Sequence, residues 1–347
     1  MSSQVVMFLL QDGITTGAIY VLLAIALVMV FLVTRVLLLP QGEFVSYSAL
    51  TLAMLQSGAV PGTVWLLVLG AAAAAIFDVV EKKASVRQTL AIAARWLIVP
   101  VLTAALAFFC APLRLPLPLQ ALLTMAIIVP LGPIMYRLAF QRLQSASLLV
   151  LLIVAMAVHL AMVGLGLVFF GAEGWRTPAF TDAIVPLGDI AIGGQSMVVV
   201  AVVIALTAAL YIFFERSLVG KALRATGMQR MGARLMAIST TLSGQVAFLL
   251  AAAIGAASGI LIAPLTTVYY DTGFLIGLKG FVGAIIGGLV SYPLAAIGAL
   301  AVGLLEAWSS YAASAFKEVI VFTLIIPFLL WRSLRAGSHV DAEQDEE

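Results

Sequence analysis

Cysteine and histidine are almost absent. One cysteine, Cys110, and two histidines, His159 and His339, are the whole supply in 347 residues. A single cysteine excludes an intrachain disulfide and a cysteine-based metal site. One histidine stands alone in an apolar run and the other lies near the chain end, so neither a zinc site nor a histidine-based triad can be built. His159 reads as a hydrogen-bonded packing residue. Charge is scarce as well. Asp, Glu, Lys and Arg make up 10% of the residues, where a soluble domain carries about 25%. That leaves too little polar surface to cover a water-soluble globule. No GxxxxGK[ST] string occurs; the nearest, Gly220-Lys221-Ala222, lacks the hydroxyl that would ligate magnesium. The sequence thus reads as no enzyme, without a P-loop, a metal or a cofactor. No Lys or Arg precedes Arg35, so a signal peptide with a basic n-region is not expected. The net charge of +2 is unremarkable, and no nucleic-acid partner is expected.

What the chain has instead is apolar length. Hydrophobic residues make up 63% of it, and residues 14–33, 146–170, 196–214 and 242–263 run with almost no charge. About 20 apolar residues in a helix span a hydrocarbon core of about 30 Å. Backbone polar groups in lipid must be paired internally, which leaves helices or a closed barrel. A barrel shows shorter segments of alternating polarity; these runs are continuous and rich in Ala, Leu, Gly and Val. The expectation is an all-α integral membrane protein in the lipid bilayer, a single transmembrane domain over 1–347. Spans are placed near 12–34, 43–57, 61–77, 96–111, 117–136, 147–170, 196–214, 242–263, 274–291, 294–313 and 317–331. The segments 43–57 and 274–291 are short enough to be broken or re-entrant, so the count is nine to eleven.

Cytoplasmic loops carry excess Lys and Arg. Alternating the spans puts Arg35, Lys82, Lys83, Arg87, Arg95, Arg137, Arg142, Arg216, Lys221, Arg224, Arg230, Arg234, Arg332 and Arg335 on one side, against Arg114, Arg176 and Lys317 on the other. That predicts the N-terminus outside and the C-terminus inside. Residues 336–347 read as an acidic cytoplasmic tail. Residues 171–195, with two Pro, several Gly and three carboxylates, read as a non-cytoplasmic loop of turns. Residues 215–241 read as a basic cytoplasmic helical segment. A weak internal repeat is visible: 13–43 and 244–280 each open with a Gly-punctuated apolar helix, meet Pro40 or Pro264, and enter a short span. Interrupted segments in corresponding halves point to a transporter with a midplane pathway.

Charge inside a membrane is expensive and usually functional. Glu43 opens a short span after Pro40-Gln41-Gly42, either as an acid at a helix start or as part of polar backbone on a pathway. Lys279 lies between apolar residues and either snorkels or pairs with Glu43 or Glu306. Glu306 is mid-span with no partner at i+3 or i+4, so it is expected to face the interior. Lys317 and Glu318 read as a membrane boundary. Gly255, Gly259, Gly283, Gly287 and Gly288 stand at helical spacing and read as close helix packing.

Three stretches, in order, resemble the branched-chain amino-acid permease family of ABC importers. In 13–43, Gly17-Ala18-Ile19-Tyr20 and Gly42-Glu43 match, while Leu38-Leu39-Pro40-Gln41 replaces the family's Asn-Phe-Ala-His. In 220–238, Gly220, Ala222, Arg224, Ala225, Ala233, Leu235 and Ile238 fall on the loop that docks on the ATPase. Met228-Gln229 replaces its usual acidic pair, and Ala237 a Gly. In 273–298, Gly273-Phe274, Gly277-Leu278-Lys279, Phe281, Gly287-Gly288, Ser291 and Pro293 match. Residues 75–115 look inserted relative to the family and would add a charged loop and a helix. The resemblance implies a type II importer-like permease in the bacterial inner membrane. Its partners would be a second related permease, two cytoplasmic ATPase subunits and an extracytoplasmic substrate-binding protein. It implies a pathway past Thr16, Tyr20, Gln41, Gly42, Glu43, Thr266, Thr267 and Lys279. It also implies a coupling segment over 218–237 that presents Gly220, Ala222, Arg224, Ala225, Gln229, Arg230, Ala233 and Ile238. Permeases for urea and short amides share the fold, and an ion-coupled secondary transporter using Glu43 and Glu306 is the other reading.

Overall fold

The computed structural model describes residues 3–113, 115–187, 190–323, 326–328 and 330. Among these residues fourteen α-helices are named in chain order: α1 Ser3–Thr34, α2 Gln41–Ser57, α3 Thr63–Lys82, α4 Val86–Cys110, α5 Leu117–Ile128, α6 Leu131–Met135, α7 Leu148–Phe170, α8 Gly194–Arg216, α9 Leu218–Met228, α10 Arg230–Leu235, α11 Thr240–Ile262, α12 Thr272–Ile286, α13 Tyr292–Ala312 and α14 Lys317–Thr323. Among the described residues eight helical stretches are long and apolar enough to cross a membrane, with α5, α6 and the turns after them forming one stretch, Leu117–Leu143. The short helices α2 and α12 join them, so ten of the expected spans recur as helices; of the expected span 317–331, α14 covers Lys317–Thr323, and residues 324, 325, 329 and 331 lie outside the described residues. Arg114 and the acidic tail 336–347, with Arg332 and Arg335, lie outside the described residues.

Several helices begin where the sequence supplies a cap. Ser147, Ser217, Ser239 and Ser291 each accept a backbone N–H from the first turn of α7, α9, α11 and α13. A serine oxygen there satisfies one of the orphan donors of a helix start. Gly58, at φ 84°, ends α2 by turning its N–H back to Leu55 and Met54, a left-handed conformation that glycine adopts without penalty.

The centre of the molecule is α1. It packs against α13, α11, α12 and α8, and its residues from Ala18 to Val30 are buried throughout. Glycine makes this possible. A Cβ on Gly17 would stand 3.2 Å from the Leu300 Cα, and one on Gly283 would stand 2.8 Å from the Ala299 Cα. Such small-residue seams let membrane helices approach closely. Gly255, Gly259, Gly283 and Gly287 pack in this way; Gly288 instead takes φ 67° in the turn after α12. The periphery is the opposite. On α7, α8 and α4, Leu149, Leu160, Ile204, Ile212 and Phe109 are exposed, as lipid-facing helices require.

Three expectations are corrected. Helix α1 begins at Ser3 rather than near residue 12, because no breaker precedes Asp12. The charged residues near 82–95 lie mostly on helix, and the connection between them is only 83–85. Helix α3 runs through Lys82, Lys83 turns at φ 46°, and Ser85 opens α4 through a capping box with Gln88. Finally, 171–195 holds a two-stranded hairpin, β1 Ile184–Leu187 against β2 Ile190–Gly193. An isolated antiparallel bridge of Trp175 with Val268 ties this loop to the segment after α11.

Candidate functional site

The two short helices meet at their first turns. A Cβ on Gly42 would strike the Gly273 carbonyl and come within 3.2 Å of the Gly277 Cα. One on Gly273 would meet Gly42 and Ser46, and one on Gly277 would meet Gly42 and Gln41. That order makes α2 and α12 antiparallel at the contact, so they leave it in opposite directions. Two helix starts, each with a positive dipole end, therefore converge inside the protein.

A carboxylate stands at this convergence. Glu43 is fully buried and its Oε1 lies 2.9 Å from His159 Nδ1. The Ser46 hydroxyl donates to its other oxygen at 3.4 Å. The His159 ring stacks on Phe274 of α12 with centroids 4.3 Å apart. Two residues before Glu43, the Gln41 amide donates to the Ala251 carbonyl at 3.0 Å. Its Oε1 is buried without a partner among the described residues. Helices α2, α7, α11 and α12 are thus pinned at one point.

A second buried cluster lies between α1, α12, α13 and α14. The Lys279 ammonium donates to Glu306 and, at 3.1 Å, to Glu318. The Tyr20 hydroxyl donates to the other Glu306 oxygen at 2.6 Å. One cation thus faces two carboxylates. Asp12 is exposed on α1 near the same face.

The structure divides the predicted pathway residues. Gln41, Gly42 and Glu43 sit together at the helix junction; Tyr20 and Lys279 share the second cluster; Thr16, half-buried, lies one turn from Tyr20 on the same face of α1. Thr266 and Thr267 are exposed on the connection from α11 to α12, where the Thr267 methyl packs beside Gly174. Of the two pairings open to Lys279, Glu306 forms and Glu43 does not. Glu318 is a partner of that lysine rather than a bare boundary marker. His159 is hydrogen-bonded as expected, but to Glu43, and no local signal marks a partner 116 residues away.

The coupling segment also separates. It is two helices, α9 and α10, broken at Gln229, whose backbone is extended at φ −151° and ψ 102°. Gly220 and Ala233 are buried, and Gly220 packs on the end of α8. Arg230 points inward, donating to the carbonyls of Val33 at 2.8 Å and Gln144 at 3.2 Å. Ala222, Ala225 and Ile238 are half-buried, while Arg224 and Gln229 are exposed. Around them Leu218, Met228, Met231, Leu235 and Met236 present apolar side chains outward.

Comparison with known proteins supplies a context for these features. The family model described as branched-chain amino acid transport system / permease component matches residues 9–329. The high-affinity branched-chain amino acid transport system permease protein LivH of Escherichia coli (strain K12) is 38% identical over 124 residues, covering 35% of this chain and 40% of that protein. LivH of Salmonella typhimurium gives the same figures. The corresponding permease protein BraD of Pseudomonas aeruginosa is 32% identical over 125 residues, 35% of this chain and 41% of BraD. The matched stretch therefore spans about two fifths of these relatives' length. No solved structure matches the chain.

Proposed function

The chain belongs to the branched-chain amino acid transport system permease family, and from that premise we propose that it is the membrane-spanning subunit of an ATP-driven importer of branched-chain amino acids. The observation that carries this reading is the surface of α9 and α10. These helices lie outside the spans, yet they expose Leu218, Met228, Met231, Leu235 and Met236 around Arg224. A large apolar patch on an aqueous face marks an interaction site, and two cytoplasmic ATPases are the partners it fits. Capture of the amino acid falls to an extracytoplasmic binding protein.

The pathway runs between this chain and a second, related permease, along the face bearing Tyr20, Lys279, Glu306 and Glu318. Exposed Asp12 and half-exposed Glu318 on otherwise apolar helices favour that face, because a carboxylate turned to lipid is costly. A zwitterionic amino acid has an ammonium that suits Glu306 and Glu318 and a carboxylate that suits Lys279. The junction of α2 and α12 is the pivot, since four helices meet there around Glu43. The basic end of the helices faces the cytoplasm.

Reconstitution tests the reading. Leucine uptake into liposomes requires both permeases, both ATPases, the binding protein and ATP together. Uptake by this chain alone under a proton or sodium gradient, lost on Glu306→Gln, would overturn it in favour of a secondary transporter. The burden on that alternative is that Glu306 is already held by Lys279 and Tyr20. Transport of urea in place of leucine by the full assembly would redirect the substrate to short amides.

A further inference from the structure

A cavity of about 280 Å³ opens where the end of α3, the helical turns after α6 and the start of α11 come together beside α4, and none of the features above accounts for it. Arg137 stands in its wall, 3% exposed. Its Nε donates to Asp78 Oδ1 at 2.6 Å, and its Nη2 donates to Glu81. Its Nη1 is buried with no partner among the described residues. The acids beside it are occupied: Asp78 Oδ2 accepts from Trp96 Nε1 at 2.9 Å, and Glu81 also accepts from Arg142 at 3.5 Å. Lys82 and Arg95 line the same cavity, are exposed, and form no ion pair among the described residues. Four cations, Lys82, Arg95, Arg137 and Arg142, therefore face two carboxylates. The N-terminus of the 23-residue helix α11, at Ser239 and Thr241, adds a positive dipole end.

A second orphan narrows the ligand. Gln141 also lines the cavity, and its Oε1 is buried without a partner among the described residues. A site offering a spare guanidinium N–H, two free cations and a spare acceptor suits an anion that also carries hydroxyls. The surroundings narrow it again. Leu242 lines the cavity, Phe77 lies beneath the Arg142 guanidinium, and both are exposed and apolar, as is Val80 one residue before Glu81; the cavity lies at the ends of apolar helices long enough to cross a membrane. Basic pockets between the ends of transmembrane helices bind anionic lipid headgroups. We propose that this cavity binds the phosphate of an anionic phospholipid with a polyol headgroup, with phosphatidylglycerol as the type. Arg137 and the rim cations would take the phosphate, Gln141 would take a headgroup hydroxyl, and the acyl chains would lie along α3 and α4.

Native mass spectrometry of the purified full chain tests this with dioleoyl phosphatidylglycerol against dioleoyl phosphatidylcholine. The unmodified protein should retain the anionic lipid preferentially. Lys82→Ala with Arg95→Ala should weaken that binding by roughly tenfold or more, at about 1 kcal/mol for each cation near a membrane surface. The charge-conserving Lys82→Arg with Arg95→Lys should retain it. If the alanine pair does not fold, the charge-conserving pair and the comparison of lipids on the unmodified protein still decide. Equal retention of both lipids overturns the proposal, as does undiminished binding in a folded alanine pair. Displacement of phosphatidylglycerol by an equal concentration of inorganic phosphate also overturns it, because the site would then serve a soluble anion.

Discussion

At the scale of single residues, the pair of Glu43 and His159 governs the centre of the molecule. Each side chain is buried and each is the other's main polar partner. Removing one partner of a buried pair leaves an uncompensated group and costs about 3–5 kcal/mol. We expect His159→Ala to lower the unfolding temperature of the solubilised protein sharply. Combining it with Glu43→Gln should return part of the loss, because the stranded carboxylate is then neutral. Strict additivity of the two substitutions in a thermal-shift cycle would show that the contact carries no coupling. Gly42 is the other vulnerable point, buried where α2 meets α12. A methyl there meets the backbone of Gly273, which no rotamer can relieve, and overpacking costs about 1–3 kcal/mol. Gly42→Ala should therefore abolish uptake while leaving α9 and α10 able to bind ATPase; retained uptake would mean the two helices part without consequence.

Among elements, α9 and α10 are held by a different logic from the spans. Their anchor is Arg230, which reaches the last turn of α1 through Val33 and the chain before α7 through Gln144. Two predictions follow the division between anchor and surface. Arg224→Glu places a wrong charge on the exposed face, where an unpaired buried charge in a complex costs several kcal/mol. It should remove ATPase co-purification without changing membrane insertion, and intact binding would move the docking face elsewhere. Arg230→Ala should act on the segment itself, raising its cleavage by protease in the absence of any partner; an unchanged cleavage pattern would leave the anchor without a role.

The same contrast explains what was legible beforehand. The spans were readable because membrane thickness imposes a length on every apolar run, and 146–170 or 242–263 satisfies it without help from the rest of the chain. The junction of α2 and α12 was legible only as a weak repeat of two short segments after Pro40 and Pro264. Its partner His159 carries no local mark, since the contact with Glu43 closes over 116 residues. Glu318 was hidden for the same reason, 39 residues from Lys279. The small hairpin at 184–193 escaped because Gly and Pro mark turns without telling whether the residues between them pair.

For the molecule as a whole, the distribution of basic residues makes a directional claim. Arg35, Lys82, Arg142 and Arg230 gather at one end of the helices, and the hairpin β1–β2 lies at the other. With Cys110→Ala as background, cysteines introduced at Thr181 and Met228 should react with an impermeant maleimide from opposite faces of oriented vesicles. Labelling of both from one face would reverse or break the assignment.

The burial of α1 also has a consequence in time. This helix is made long before most of its neighbours, since three of the helices that enclose it, α11, α12 and α13, lie in the last third of the sequence. The hydroxyl of Tyr20 finds Glu306 only 286 residues later. At roughly 5–20 residues per second, a ribosome needs some tens of seconds to supply that partner. During that interval α1 must rest in the bilayer, or beside the insertion machinery, as a lone apolar rod with an unpaired phenol. Its near-total lack of charge makes the wait tolerable. Assembly of this protein is therefore a late docking of its carboxyl-terminal helices around a helix already installed, and chains interrupted before α11 should leave α1 inserted but unpacked.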